Sequence, residues 1–205
     1  CAFEAAGDGE LDRSRIEQLL WLSLYRDYSS LYRFAAVSQR KFLDLYFMHF
    51  EVDILKKCLR DAASSRSSDL DLSIFEEKLT PSRFIGEYHL DLAGLAECSS
   101  LDSFVEGLRG SFYYEPLRRL RDQGVTALFD YESALDSLYF IHLWKDMKKQ
   151  LGRKELEAVS QCIGEKIDLL NLEWLSRAKE YYRLSDHAIE DFLIPVYYKL
   201  RKDQI

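Results

Sequence analysis

The sequence is short of the residues that interrupt helices and of those that favour strands. Its 205 residues contain only 3 Pro and 9 Gly, fewer than average usage would supply. Leu occurs 33 times, whereas Val, Ile and Thr together occur only 18 times. Because β-branched residues are the ones enriched in strands, this balance predicts an all-α fold.

Long apolar runs and an excess of positive charge are also missing. The longest uninterrupted apolar runs are about four residues, far from the roughly 20 that a membrane-spanning helix needs. The formal net charge of −7 argues against nonspecific binding to nucleic acid. We therefore expect no nucleic-acid partner and no direct insertion into a membrane.

The 4 cysteines are widely separated and form no Cys-x-x-Cys pair. This spacing supports neither a zinc site nor a small disulfide scaffold, and it favours reduced, partly buried thiols in a cytoplasmic protein. The chain begins at Cys1 instead of Met, without the pattern of a signal peptide. That start suggests a fragment or a processed form.

Apolar residues that recur at helical spacing predict a series of helices. The most buried of them follows a cap at Ser38, because two apolar ridges run along it as far as Leu59, and a loop is predicted at 61–68. A second long helix is predicted at 128–151, closed by Gly152. The remaining predicted helices lie at 12–24, 27–36, 71–79, 89–97, 100–109 with a cap at Ser100, after Tyr113 with Pro116 in the first turn, at 153–162 and 165–182 as an antiparallel pair, and from Ser185 to Pro195.

Two stretches of the chain resemble each other. FEVDILKKCLRDA at 50–62 aligns without a gap with IDLLNLEWLSRAK at 167–179. The separation between the segments at 50–62 and 167–179 is longer than a solenoid repeat and is typical of duplicated helical domains. The paired positions are Glu51 with Asp168, Leu55 with Leu172, and Arg60 with Arg177.

A second pair of similar segments follows in the same order. IFEEKLTP at 74–81 corresponds to AIEDFLIP at 188–195, so that Pro81 matches Pro195. In each copy an acidic residue precedes an Arg by nine positions on a helix predicted to be buried. Because a buried charge needs a partner, we expect these residues to pair with loops or with each other and to define the fold.

No motif of a catalytic, cofactor or metal site is present. The 4 His lack metal-ligand spacing, and neither a Gly-rich phosphate loop nor a nucleophile elbow occurs. Asp130 and Asp136, near the start of the second long helix, are the nearest approach to an acidic site. An all-α metal-dependent enzyme built around them is therefore kept as an alternative.

Two clusters of basic residues, which we call the basic runs, occur in a chain whose net charge is negative. The second of them lies at the C-terminal end of the helix at 128–151, where cations complement the helix macrodipole. We interpret it as a solvated helix end, with a docking patch as the alternative. The first run is Arg109, Arg118, Arg119 and Arg121, and the second is Lys145, Lys148, Lys149, Arg153 and Lys154.

The second copy of the repeat resembles a signature of the C-type subunits of V-type ATPases and ATP synthases, a family whose eukaryotic members are called d-type subunits. That signature is Asp-x-x-Asn-Leu, then Arg-Ala-Lys, then a short helix and a Leu-Ile-Pro turn. The resemblance covers the chain from about Arg26 to its end, and Ile54 stands where the first copy would have Asn. The principal matching residues are Asp168, Asn171, Arg177 and Pro195.

The resemblance implies a non-catalytic protein without cofactors, made of duplicated helical-bundle units. Its implied partners are the central rotor stalk and the membrane proteolipid ring of a rotary ATPase, which would place it in the cytoplasm and peripherally on the membrane. Residues 1–81 would form the end of a first unit, and 82–205 a second unit that runs into the start of a missing third. A generic helical scaffold without a rotary role is the other alternative.

Overall fold

Helices account for the regular structure of the chain in a computed structural model that describes residues 13–65, 90–182, 189 and 193–201. These residues include no strand, and the predicted all-α fold is confirmed. We number the α-helices in chain order. They are α1 Arg13–Phe34, α2 Val37–Ala63, α3 Leu92–Ala96, α4 Leu101–Gly107, α5 Tyr114–Asp122, α6 Leu128–Gln150 and α7 Arg153–Arg177, which continues as a π-helix, Ala178–Tyr182.

Helix α1 is one continuous helix where the sequence predicted two. The predicted interruption lies at 25–26, between the helices predicted at 12–24 and 27–36, but α1 continues through it. The hydroxyl of Ser30 donates to the carbonyl oxygen of Arg26, at 2.9 Å, one turn earlier in the same helix. The prediction of two helices was therefore wrong.

Helix α2 begins one residue earlier than the predicted cap at Ser38. Ala36 precedes its first turn, and the side chain of Gln39 reaches back to accept the Ala36 backbone N–H at 2.8 Å. The helix also extends to Ala63, into the stretch predicted as a loop. Ala62 is buried there, so packing extends the helix past the point where composition suggested its end.

The core is centred on α2 and α6, which pack along each other. Leu55 and Leu59 of α2 and Leu135 and Leu143 of α6 are fully buried. Helices α4 and α5 close one side of this pair, and α7 packs against α6. Helix α1 lies against the first half of α2 through a separate small cluster, in which the rings of Tyr28 and Phe47 are 4.3 Å apart.

The short helices have the start signals that the sequence predicted. The hydroxyl of Ser100 accepts the Ser103 backbone N–H at 3.1 Å and so caps α4. Gly110 has a φ of +92° in the turn that follows α4, a conformation that glycine adopts without strain. Pro116 lies in the first turn of α5, where its missing N–H costs no helical hydrogen bond.

The predicted helical pair at 153–162 and 165–182 is a single helix, α7, and that prediction was wrong. The sequence predicts that the helix is interrupted near Gly164, but Gly164 is buried inside the helix. A Cβ on Gly164 would lie 2.7 Å from the Cβ of Tyr198. Glycine is therefore present because another segment crosses the helix closely, and not because the helix ends.

The free thiols agree with the expectation of reduced cysteines. Cys58, Cys98 and Cys162 are free, and burial raises the pKa of the Cys58 thiol to about 12. Cys1 and the helix predicted at 71–79 lie outside the described residues. So does Ser185, the predicted cap of the last helix. Ile189, which falls within the span predicted for that helix, is helical and buried.

Candidate functional site

A polar clamp on α7 holds the segment 193–200, which we call the strap. Its first element is Asp168, whose side chain is buried. Oδ1 accepts the backbone N–H of Tyr198 at 3.1 Å, and Oδ2 accepts those of Lys199 and Leu200 at 2.6 and 3.1 Å. Hydrogen bonds to an ionised acceptor are shorter and stronger than neutral ones, so this carboxylate fixes three consecutive residues of main chain.

Asn171 is the second element of the clamp and is completely buried. Its Oδ1 accepts the backbone N–H of Ile194 at 2.8 Å, and its Nδ2 donates to the Ile194 carbonyl oxygen at 3.0 Å. The amide thus pairs with one residue of the strap as a neighbouring strand would. Because Asn171 follows Asp168 by three positions, both side chains leave the same face of α7.

The strap lies against this face through side chains as well. Gly164 and Asp168 are one helical turn apart, and Gly164 leaves room for the ring of Tyr198. Trp144 of α6 meets the same ring edge-on, with the ring centres 6.1 Å apart. Lys199 forms an ion pair with Glu165 at 2.6 Å. Sequence reasoning missed Gly164 and Tyr198, because a glycine inside a helical pattern indicates a break as readily as a close approach.

The other two predicted residues of this copy lie outside the clamp. Arg177 is exposed and pairs within α7 with Glu173, one turn earlier, at 2.5 Å. Pro195 is exposed between Ile194 and Val196, whose side chains are buried. The acidic residue of this copy therefore binds a loop, whereas its arginine binds a neighbour on the same helix.

The first copy of the repeat has a different set of partners. Glu51 of α2 accepts the hydroxyl of Tyr113 at 2.8 Å. Burial raises the pKa of Glu51 to about 7, although the hydrogen bond from Tyr113 opposes that shift. Arg60 pairs with Glu132 of α6 at 2.6 Å. Pro81 lies outside the described residues.

Paired positions of the two copies share part of their environment. Phe50 and Ile167 are both buried, as are Ile54 and Asn171. The central leucines differ, because Leu55 is fully buried whereas 43% of Leu172 is exposed. The face of α7 that carries Leu172 is thus exposed to solvent, whereas the corresponding face of α2, which carries Leu55, is packed against other residues.

A comparison with family models matches residues 2–205 to the ATP synthase (C/AC39) subunit family. The chain belongs to this family. Neither the comparison with curated proteins nor the one with solved structures finds a match. Asp168 and Asn171, two of the residues that carry the resemblance, hold the strap, so in this member of the C/AC39 family these two signature positions bind main chain.

An ionic seam joins α2 to α6 on the same side as Arg60. Lys56 of α2 donates to Oδ1 of Asp136, and the Arg60–Glu132 pair lies one turn further along both helices. Burial raises the pKa of Asp136, whereas the charge of Lys56 and the hydrogen bond from it act in the opposite direction. Lys56 therefore occupies the position that a cation would take beside Asp136.

The alternative of an acidic metal site at Asp130 and Asp136 gains no support from this geometry. The two residues are six positions apart on α6, so their side chains leave the helix about 120° apart. Across the described residues, no group of three or more His, Cys, Asp and Glu side chains could hold a metal ion.

The two basic runs have different surroundings. Arg109 and Arg121 bind the carboxylate of Glu106, at 2.5 and 2.7 Å, and Arg118 binds Glu115 and Asp122. The first run is thus largely neutralised by its neighbours. The second run lies at the junction of α6 and α7, where Lys145, Lys148, Lys149, Arg153 and Lys154 are all exposed.

Among the helices in the described ranges, none combines the length and the hydropathy that crossing a membrane requires.

Proposed function

We propose that this member of the C/AC39 family is a non-catalytic central-stalk subunit of a V/A-type rotary ATPase. In this role it couples the soluble ATPase stalk to the membrane proteolipid ring during ion transport. The observation that carries the proposal is the family match, which spans residues 2–205. The protein would act on the cytoplasmic side and be peripheral to the membrane through its complex.

The proposed organisation has two homologous helical units, 1–81 and 82–205. Its support is the paired acidic positions, Glu51 and Asp168, each of which lies on a long helix and accepts hydrogen bonds from a distant segment. In this organisation α2 belongs to the first unit and α6 and α7 to the second. The contact between α2 and α6 is then the joint between the units.

The described contacts suit a part that carries mechanical load. A protein that transmits torque must keep its shape, and closely packed interiors transmit strain because they are hard to compress. The ionic seam crosses the joint between α2 and α6, and the polar clamp fixes the strap to α7 through main-chain bonds. Both arrangements resist sliding of one element along another.

Reconstitution tests the proposal. A V/A-type ATPase depleted of its own C/AC39 protein is embedded in vesicles, and the full chain is added. We expect the chain to sediment with the vesicles and to increase ATP-driven acidification, followed with a pH-sensitive dye, per ATP hydrolysed. The chain alone should hydrolyse no ATP.

Two neighbouring variants serve as a matched pair in this experiment. Asn171→Ala loosens the strap, and it should restore less acidification than the unchanged chain. Leu172→Ala, at the exposed next position, leaves the strap intact and should restore acidification as well as the unchanged chain does. If the unchanged chain is folded by circular dichroism but neither sediments with the vesicles nor alters acidification, the proposed coupling role is wrong.

A further inference from the structure

An apolar groove lies between the α1–α2 corner and the start of α7. It has a volume of about 430 Å³, within the range of sites that bind ligands or side chains. Its walls include Leu31, Phe34 and Phe42 on one side and Leu151, Glu155 and Val159 on the other. We call it the corner groove.

The α1–α2 wall of the corner groove is held in place by Arg40. Its guanidinium donates to the carbonyl oxygens of Tyr32, Arg33 and Ala35, at 3.0–3.1 Å, and lies 5.4 Å from the centre of the Tyr32 ring. These contacts fix the last turn of α1 against the first turn of α2. The apolar side chains at the edge of the groove are nevertheless exposed, with 87% of Phe34 and 64% of Leu31 accessible.

Positive charge surrounds the corner groove in an otherwise acidic protein. The stretches 31–43 and 145–159, which include all of its lining residues, contain eight Lys and Arg against three Asp and Glu, whereas the whole chain has a net charge of −7. Asp146 neutralises Lys149 at 3.2 Å, and Glu155, which lines the groove, and Glu157 supply two further opposing charges. The remaining excess of positive charge would attract an acidic partner to this region.

The macrodipole explains only part of this basic region. Lys148 and Lys149 lie in the last turn of α6, where cations are favourable. Arg153 and Lys154 are instead the first two residues of α7, where cations are unfavourable. These two charges therefore cost the fold some stability, and a ligand that meets them would account for their presence.

We propose that the corner groove binds an acidic amphipathic helix of a partner protein. The apolar face of that helix would fill the groove, and its carboxylates would meet the cations on the edge, in the manner of other helix-in-groove complexes. The groove has room for about 430 Å³ between α1–α2 and α7, which side chains projecting from a helix can fill. The proposal goes beyond the coupling role and is independent of it.

The test uses two stapled, fluorescein-labelled 18-residue peptides with the same leucine face. One has Glu and the other Lys on the polar face. In fluorescence anisotropy with the full chain, we expect the Glu peptide to bind about tenfold more tightly than its Lys twin, and this preference to decline at high salt.

Variants locate the binding. Phe34→Glu should weaken binding of the Glu peptide at least about fivefold, whereas Leu20→Glu, at another exposed leucine of α1 outside the groove, should change it less than about twofold. Arg153→Glu with Lys154→Glu should weaken binding by a similar factor while raising the melting temperature slightly, because acidic residues suit a helix start. The matched control for charge is Arg119→Glu with Lys179→Glu, both exposed and distant from the groove in sequence.

Several results would overturn the proposal. If the two peptides bind equally well, or if the substitutions at Phe34 and Arg153 leave binding unchanged, the groove is not the binding site. Binding to vesicles with roughly 30% phosphatidylserine that is lost in Phe34→Glu would identify a membrane surface instead. A dimer in sedimentation experiments that Phe34→Glu dissociates would identify a second copy of this chain as the occupant.

Discussion

The carboxylate of Glu51 on α2 accepts a 2.8 Å hydrogen bond from the hydroxyl of Tyr113, across 62 residues of sequence. Tyr113 is fully buried, and burial raises the pKa of Glu51 to about 7. Near neutral pH, α2 therefore contains a carboxyl group that is close to its midpoint of ionisation. This relationship makes the stability of the α2–α5 contact depend on pH.

Glu51→Gln should stabilise the protein at pH 8 and leave its stability almost unchanged at pH 5. The pKa of Glu51 is raised in the folded state, so its favourable contribution is complete below the unfolded value of 4.5 and is lost as pH rises through about 7. Gln keeps an acceptor for Tyr113 and carries no charge. We expect a gain on the order of 2 kcal/mol at pH 8, measured by urea unfolding at both pH values.

The control for this prediction is Glu157→Gln, at an exposed position of α7. Tyr113→Phe should have the opposite effect to Glu51→Gln and should cost more stability at pH 8 than at pH 5. A gain from Glu51→Gln that is equal at both pH values would show that ionisation of Glu51 is not its cause.

Asn171→Ala should destabilise the protein by about 2–4 kcal/mol, because the buried N–H and C=O groups of Ile194 lose the side-chain amide that pairs with them. Urea unfolding measures the loss. Leu172→Ala, at the next position, should cost less than about 1 kcal/mol, since that side chain is half exposed. Trypsin should also cleave Asn171→Ala faster after Lys199 and Arg201, and unchanged cleavage would mean that the strap does not depend on Asn171.

Gly164→Ala should destabilise α7 although alanine is the better helix former. The added Cβ would overlap Tyr198 near its Cβ and Cγ, atoms that cannot move away without moving the strap. A net loss of about 1–2 kcal/mol is expected by thermal or urea unfolding. In a Tyr198→Gly background, which removes the Cβ as well as the ring, the same change should gain up to about 1 kcal/mol, and a loss of the same size in both backgrounds would contradict the close approach.

Asp136→Ala should cost about 3 kcal/mol, because it leaves the ammonium of Lys56, only 14% exposed, without its carboxylate. Glu132→Ala breaks the neighbouring pair with Arg60, which is 55% exposed, and should cost about 0.5 kcal/mol. Replacing both members of the Lys56–Asp136 pair, by Lys56→Met with Asp136→Leu, should recover most of the stability that Asp136→Ala loses. Equal costs for the two pairs in urea unfolding would show that burial does not distinguish them.

The sequence predicted the helices well where a local signal decides the structure. Ser100, Pro116 and the end of α6 before Gly152 were found because capping and proline chemistry act within one turn. Local signals were misleading at 25–26, where α1 is unbroken, and at Gly164, where a distant tyrosine decides the outcome. A single glycine gives no indication of which segment will cross it 34 residues later.

The candidate site was also predicted only where a local pattern in the sequence marks its residues. Asp168 stood out because a charge on a helix predicted to be buried needs a partner, and Asn171 because it belongs to the signature that the second copy resembles. The identity of that partner, the strap, depends on how the chain returns after α7. The pairing of Lys56 with Asp136 was not predicted, because it joins positions 80 residues apart and leaves no local pattern.

The way in which Asp168 holds the strap limits what kinds of substitution its residues can accept. The three hydrogen bonds that it accepts from the strap all come from backbone N–H groups, those of residues 198–200. The side chain of Leu200 could therefore be exchanged for many others without disturbing the clamp. Proline alone lacks an N–H to donate, so at any of these three positions it would be the one natural residue that the clamp rejects.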